Sequence, residues 1–278
     1  MKLKKLLELD FMVKFKSTLE TEFEKELFIA SLRNYASHGN PLRFHNFAYT
    51  MRELILHVIA RKAPEEKVIG APWYVRIDPN RKVTRKQQLK YCAQKNIPDS
   101  FLGVINTTFI DDSISDFLAE FVNLNKYTHI TEKYFKPSPK QFFENARDVV
   151  SIAQHCLDLM ADTAKEVICI LENEIDSSVR DLANESLPDE VTILAPRVYT
   201  EYVQIEDVYA SDIDDEFIYI GVDGSVFVTQ EYGPKDDLCE INTDYPFSLS
   251  MQCSLRNPAQ LTITSKEIEV DTSSWWLC

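Results

Sequence analysis

The run Arg33-Asn34-Tyr35-Ala36-Ser37-His38 stands directly before Gly39 and spells R-N-x-x-x-H. A histidine can take a proton from a ribose 2′-hydroxyl or give one to a leaving 5′-oxygen, and an arginine can stabilise the charge of the pentavalent phosphorane between those steps. Attack by the ribose hydroxyl requires no metal ion. Arg52 and His57 form a second pair at the same spacing, and His129 closes the run Leu124-Asn125-Lys126-Tyr127-Thr128-His129 with a leucine where the arginine would stand. Residues five apart on a straight helix point about 140° from each other. Arg33 and His38, beside a glycine stop where a helix can unwind, therefore converge more readily than a mid-helix pair. The five histidines, at 38, 45, 57, 129 and 155, show no HxH or HExxH spacing. Phosphate loops of the GxxxxGK[ST] or GxGxxG kind and a GxSxG elbow are also missing. The expectation is chemistry with no metal and no cofactor.

The elements that must position these residues read as helices. Leu19, Phe23, Leu27, Phe28, Ala30 and Leu32 recur at three and four residues from Ser17 to Ala36, and Gly39-Asn40-Pro41 supplies a stop. A second helix is expected from Phe44 to Lys62, with Phe44, Phe47, Ala48, Met51, Leu54, Ile55, Val58 and Ile59 on one stripe and His45, Arg52, Glu53, His57 and Arg61 opposite. Thr84 reads as the N-cap of a short helix bearing Arg85, Lys86 and Lys90. A helix from Ser113 to Thr128 follows, burying Ile114, Phe117, Leu118, Phe121, Val122 and Leu124. A long helix then runs from Gln141 to about Leu187, with Asp176-Ser177-Ser178 as its point of division.

After Pro188 the period changes to two. Phe247, Leu249, Met251, Cys253 and Leu255 alternate with Ser248, Ser250, Gln252, Ser254 and Arg256, as a strand buried on one face requires. Asp223-Gly224, between EFIYIGV and SVFVTQ, reads as a hairpin turn. With further strand-like runs at 203–208, 261–264 and 268–270, the fold class is α+β. An all-helical N-terminal domain precedes an antiparallel β-sandwich or sheet of five or six strands, with domains expected at 1–137 (helical), 138–188 (a connecting helix or helix pair) and 189–278 (β).

Charge separates the same halves. Residues 1–95 hold 19 Lys or Arg against 10 Asp or Glu, a balance of +9, and the remainder holds 11 against 34, a balance of −23, summing to the net −14. The basic half suits phosphates, and the acidic half repels them. Mutual attraction of the halves, within a chain or between copies, explains the asymmetry equally well. Six cysteines, the closest pair being Cys156 and Cys169, leave no CxxC site and read as packed, reduced thiols. No run approaches 18 apolar residues, and the N-terminal apolar stretch is broken by Glu8 and Asp10. A cytoplasmic chain with no membrane contact is expected.

The R-N-x-x-x-H run resembles the motif of the HEPN superfamily of helical, metal-independent ribonucleases, in which an arginine is followed four to six residues later by a histidine. The polar residue after the arginine, here Asn34, commonly helps to position it there, and the site is usually completed across a helical dimer. The resemblance implies catalytic roles for Arg33, Asn34 and His38, leaves Arg52, His57 and His129 as further candidates, and implies a homo-oligomer. Pro41-Leu42-Arg43-Phe44-His45-Asn46-Phe47-Ala48, Met51-Arg52-Glu53-Leu54, Ala63-Pro64-Glu65-Glu66, Thr84-Arg85-Lys86-Gln87 and the run ending at His129 look like the predicted pPIWI-associating nuclease family of bacterial conflict systems. Gly224-Ser225-Val226, Gln230-Glu231-Tyr232-Gly233, Asp244-Tyr245-Pro246-Phe247 and Asp271-Thr272-Ser273-Ser274-Trp275 resemble its C-terminal part.

Three readings follow. In the first, the chain is a metal-independent ribonuclease effector of prokaryotic antiviral defence, with the β domain sensing or docking. In the second it is a non-catalytic nucleic-acid-binding or adaptor subunit, in which Arg43, Arg52, Arg85 and Lys86 hold the phosphates of RNA or DNA and the β domain recruits a defence-system protein. In the third it is an oligomeric scaffold built on complementary charged halves.

Overall fold

The computed structural model describes residues 2–135, 137–185, 188–265 and 268–277. The chain divides into two compact units, 1–163 and 164–278. The first is helical: α1 (Leu3–Leu7), α2 (Asp10–Ser17), α3 (Glu22–Ala36), α4 (Arg43–Lys62), α5 (Glu65–Ile69), α6 (Arg85–Gln94), α7 (Asp99–Asn125) and α8 (Pro139–Ile170), whose last residues belong to the second unit. The helix expected from Ser17 instead begins at Glu22, because a capping box fixes its start. The Thr21 hydroxyl accepts from Glu24 N at 3.2 Å while the Glu24 carboxylate accepts from Thr21 N at 3.3 Å. Helix α4 buries the whole expected stripe from Phe44 to Ile59. Thr84 caps α6 as expected, in a second capping box with Gln87.

Helix α7 starts earlier than its periodicity indicates. Gly103, at φ 74°, bends the chain after its first turn, a conformation that costs glycine little and other residues more. Ile114, Phe117, Phe121 and Leu124 are buried there as expected, but Val122 is 53% exposed and leaves the stripe. The core of this unit centres on Phe142 of α8, whose ring lies 4.3 Å from Phe44, 4.8 Å from Tyr127, 5.8 Å from Phe47 and 5.9 Å from Tyr35. Aromatic pairs at such separations add attraction beyond the area they bury.

The second unit holds the end of α8, then α9 (Glu172–Glu185), α10 (Asp189–Thr192) and an antiparallel sheet. The long helix divides at Leu171 rather than at Asp176-Ser177-Ser178, and its expected end at Leu187 lies outside the described residues. Strands β1 (Arg197–Ile213), β2 (Phe217–Tyr232), β3 (Cys239–Ser254) and β4 (Asn257–Ile263) follow in the order β1-β2-β3-β4, and β5 (Glu269–Val270) also pairs with β3. The alternation expected in β3 is present: Phe247, Leu249, Met251 and Cys253 are buried and Ser248 and Ser250 are exposed.

Asp223-Gly224 is not a turn. Both residues sit inside β2, where Asp223 pairs with Asp207 and Ser248, and Gly224 with Ile205 and Phe247. Gly224 serves close approach, since a Cβ there would meet the Gln204 carbonyl at 2.2 Å and the Phe247 ring at 2.8 Å. The Gln230-Glu231-Tyr232 and Tyr245 runs also meet in this sheet. Gln230, fully buried, donates to Tyr245 Oη at 3.1 Å and accepts from Tyr232 Oη at 3.2 Å, and that hydroxyl lies 2.8 Å from the Leu194 carbonyl. The Tyr232 hydroxyl shares its one proton between the two acceptors, and the bond from Gln230 to Tyr245 links β2 to β3 inside the sheet.

Candidate functional site

Helix α3 ends one turn after Arg33, and the residues between it and α4 form a compact corner. Ser37 Oγ donates to the Asn34 carbonyl at 2.7 Å, His38 N to the Ala36 carbonyl at 2.9 Å, and the Asn40 side chain accepts from Leu42 N at 2.9 Å. This places exposed His38 against Arg43, the first residue of α4, whose Nη1 donates to His38 Nδ1. A guanidinium can only donate, so Nδ1 is the acceptor and Nε2 carries the imidazole proton, directed away from Arg43. The Arg43 guanidinium lies over the Phe44 ring, 4.4 Å from its centroid. Burial pushes the Tyr35 phenol above its usual range, and the charge of Arg43 offsets this only in part. Arg33 is exposed and Asn34 half-buried in the last turn of α3. His38 Nδ1 thus accepts from Arg43, and Arg33, Asn34 and His38 stand at the same corner.

The Arg52 and His57 pair is drawn apart. Arg52 forms an ion pair with its neighbour Glu53. His57 Nε2 lies 3.7 Å from Glu24 Oε1, and the imidazole packs edge-on to Phe23 at 5.0 Å. Glu24 is fully buried, and its carboxylate also accepts from Arg61 Nε at 2.6 Å and Glu20 N at 2.9 Å. Burial alone would raise this carboxyl, but Arg61 and the two N-terminal N–H groups outweigh it and hold it below its ordinary value of 4.5. His57 therefore sits on a structural network that joins the start of α3 to α4.

That network predicts a pH dependence. The folded value of Glu24 lies below the unfolded one, so its contribution is fully present above about pH 4.5 and is lost as the pH falls through the folded value. Glu24→Gln keeps the volume and removes the charge. It is expected to cost about 1–3 kcal/mol at pH 7, and thermal melts should show the gap from wild type holding down to about pH 5 and closing below.

His129 is exposed beyond the end of α7. Lys86 is paired with Asp111 at 3.0 Å. Arg85, half-buried at the start of α6, donates to Gln88 at 3.0 Å, and burial together with the charges of Arg52 and Arg81 pushes it below its ordinary value. His45, expected on the face of α4 opposite the apolar stripe, is instead 4% exposed, with its Nδ1 2.8 Å from the Tyr127 carbonyl. That bond joins the 41–48 run to the 124–129 run across a separation of 82 residues, which no sequence spacing shows. Burial pushes the thiols of Cys92 and Cys156 up to about 12 and that of Cys253 to about 11, which leaves them unreactive packing groups. Cys278 lies outside the described residues. Among the described residues no group of three or more His, Cys, Asp or Glu converges to hold a metal ion, and no helix is long and apolar enough to cross a membrane.

Two family models match the chain, one over residues 16–153 and one over 160–276, and both are described as predicted pPIWI-associating nuclease. No curated protein and no solved structure matches it.

Proposed function

Since the chain belongs to the predicted pPIWI-associating nuclease family over nearly its whole length, we propose that it cleaves RNA without a metal ion, as an effector of prokaryotic antiviral defence. The observation that carries this reading is the hydrogen bond from Arg43 to His38 at the α3–α4 corner, one helical turn from Arg33 and Asn34. A ribose 2′-hydroxyl gives its proton to water as its oxygen attacks phosphorus, and the bond from phosphorus to the 5′-oxygen breaks. His38 Nε2–H supplies the leaving oxygen with a proton, which the imidazole regains from water, while Arg33 and Arg43 stabilise the phosphorane's charge. The family's description names an association with pPIWI, so a pPIWI protein is the partner this reading expects, with the acidic β unit as its docking part.

A second reading, non-catalytic RNA or DNA binding, draws support from the Arg85 region of the helical unit. One experiment separates the two. The purified chain is incubated with total RNA, and separately with DNA, in EDTA. Cleavage of RNA with DNA left intact is the expected result. Retention of both nucleic acids without cleavage would replace the first reading with the second. Binding in either case should weaken steeply with salt, because it rests on phosphate neutralisation.

A further inference from the structure

Strand β1 forms an outer edge of the sheet and pairs with β2 alone among the described residues. None of its 17 residues is buried. Within the second unit a groove of about 880 Å³ runs beside it, lined by residues 202–208 and by Ile168, Cys169, Glu172 and Ile175. Successive side chains of a strand point to opposite faces, so a groove that meets every residue from 202 to 208 follows the edge of the strand rather than one face. Its floor is apolar, with Ile168 and Ile175 buried and Val203, Ile205 and Val208 half-buried. The register with β2 shifts between Thr200 and Tyr202 and again between Ile205 and Asp207. Those irregularities blunt the edge on either side and leave the run 202–205 regular, as a template for another strand.

The edge is acidic. Residues 164–278 hold 6 Lys or Arg against 24 Asp or Glu, a balance of −18, and Glu172, Glu206 and Asp207 line the groove itself. Tyr202, which also lines it, stacks on Phe227 at 4.2 Å beside Glu201, Glu240 and Asp244, a surface suited to a guanidinium. Pairing of two β1 edges would set like charges against each other. The helical unit carries a segment of the opposite character, Tyr74-Val75-Arg76-Ile77-Asp78, which belongs to no helix or strand. Val75 is 71% and Ile77 69% exposed, and among the described residues the N–H groups of Val75, Arg76 and Ile77 make no backbone hydrogen bond. The Val75 carbonyl is held by Gln87 Nε2 at 2.7 Å, while the Arg76 guanidinium donates to the neutral Asp78 and Pro79 carbonyls. Exposed Arg81 and Lys82 follow.

We propose that the outer edge of β1 takes up residues 74–78 of a second copy of the chain as an added strand. The Arg76 N–H and carbonyl face β1, because successive residues present their backbone groups to opposite edges and the Val75 carbonyl is already held by Gln87. The period of two puts Val75 and Ile77 on one face, over the apolar floor, and Arg76 on the other, where Tyr202, Phe227 and their carboxylates receive it. Pro79, which cannot donate to a ladder, ends the added strand at a length that suits the short regular run 202–205. The inference is independent of the nuclease reading.

The test uses the full chain and a labelled synthetic peptide of residues 72–83. Sedimentation of the wild type should show self-association that grows with concentration and weakens with salt, and the peptide should bind the chain saturably. Methylating the backbone nitrogen of Arg76 in the peptide should weaken binding at least about tenfold, whereas methylating that of Ile77 should change it by less than about threefold. In the chain, Val75→Ser with Ile77→Ser should abolish self-association yet keep peptide binding, since the groove is intact. Ile205→Asp should lose both. Mixed together, the two variant chains should associate, because each supplies the surface the other lacks. A wild type that stays monomeric at every concentration would overturn the proposal. So would equal binding of the two methylated peptides, or self-association unchanged in the chain carrying Val75→Ser and Ile77→Ser.

Discussion

His38→Ala should lower RNA cleavage by at least about 10²-fold, the usual worth of a positioned proton-transfer group, with the melting temperature and RNA binding close to wild type. His38 is exposed, so its removal opens no cavity, and its loss withdraws the Nε2–H that the Arg43 hydrogen bond defines. Arg43→Ala should be comparably damaging, because it frees the imidazole to take the other tautomer and removes a phosphate-binding charge. Arg33→Ala should lower cleavage and weaken binding together. Single-turnover cleavage of a labelled RNA, set beside a binding isotherm for each variant, reads both effects. If His38→Ala and Arg33→Ala cut at the wild-type rate, the corner is not the active site. Arg52, His57 and His129 then become the residues to test.

The largest effect on stability should come from Phe142→Ala, at about 3–5 kcal/mol. Phe142 is 1% exposed and its ring meets Tyr35, Phe44, Phe47 and Tyr127, which lie on α3, on α4 and beyond the end of α7. Truncation leaves a cavity among large flat side chains that cannot collapse into it. Tyr35 and Phe44 flank the residues from Ser37 to Arg43, so the loss should also loosen the corner that pairs His38 with Arg43. Denaturant unfolding measures the first effect, and the second appears as reduced cleavage per folded molecule. Phe142→Leu, which keeps most of the volume, should cost markedly less in both.

The architecture was legible wherever period and capping chemistry agreed. The stripe of α4, the Thr84 cap and the alternation in β3 all follow from residue spacing alone. The start of α3 was misread because apolar periodicity runs back through Leu19, and only the reciprocal bonds of Thr21 and Glu24 break it. Asp223-Gly224 misled for a related reason. Glycine serves a turn and a close backbone approach equally well, and only the neighbouring strands show which is needed. In the site, Arg33, Asn34 and His38 could be placed near one helix end, but the link from His38 to Arg43 crosses a corner whose geometry depends on Ser37 and Asn40. The network of Glu24 with His57 and Arg61 joins residues far apart in sequence, so spacing could not reveal it.

The central claim, metal-independent cleavage through the ribose hydroxyl, is tested most directly by the end groups of the products formed in EDTA. Attack by the 2′-oxygen with departure of the 5′-oxygen must leave a 2′,3′-cyclic phosphate, or its hydrolysis product, on one fragment and a 5′-hydroxyl on the other. The account predicts those ends from the wild-type chain in EDTA. Products bearing 3′-hydroxyl and 5′-phosphate ends, formed only when a divalent metal is restored, would contradict it.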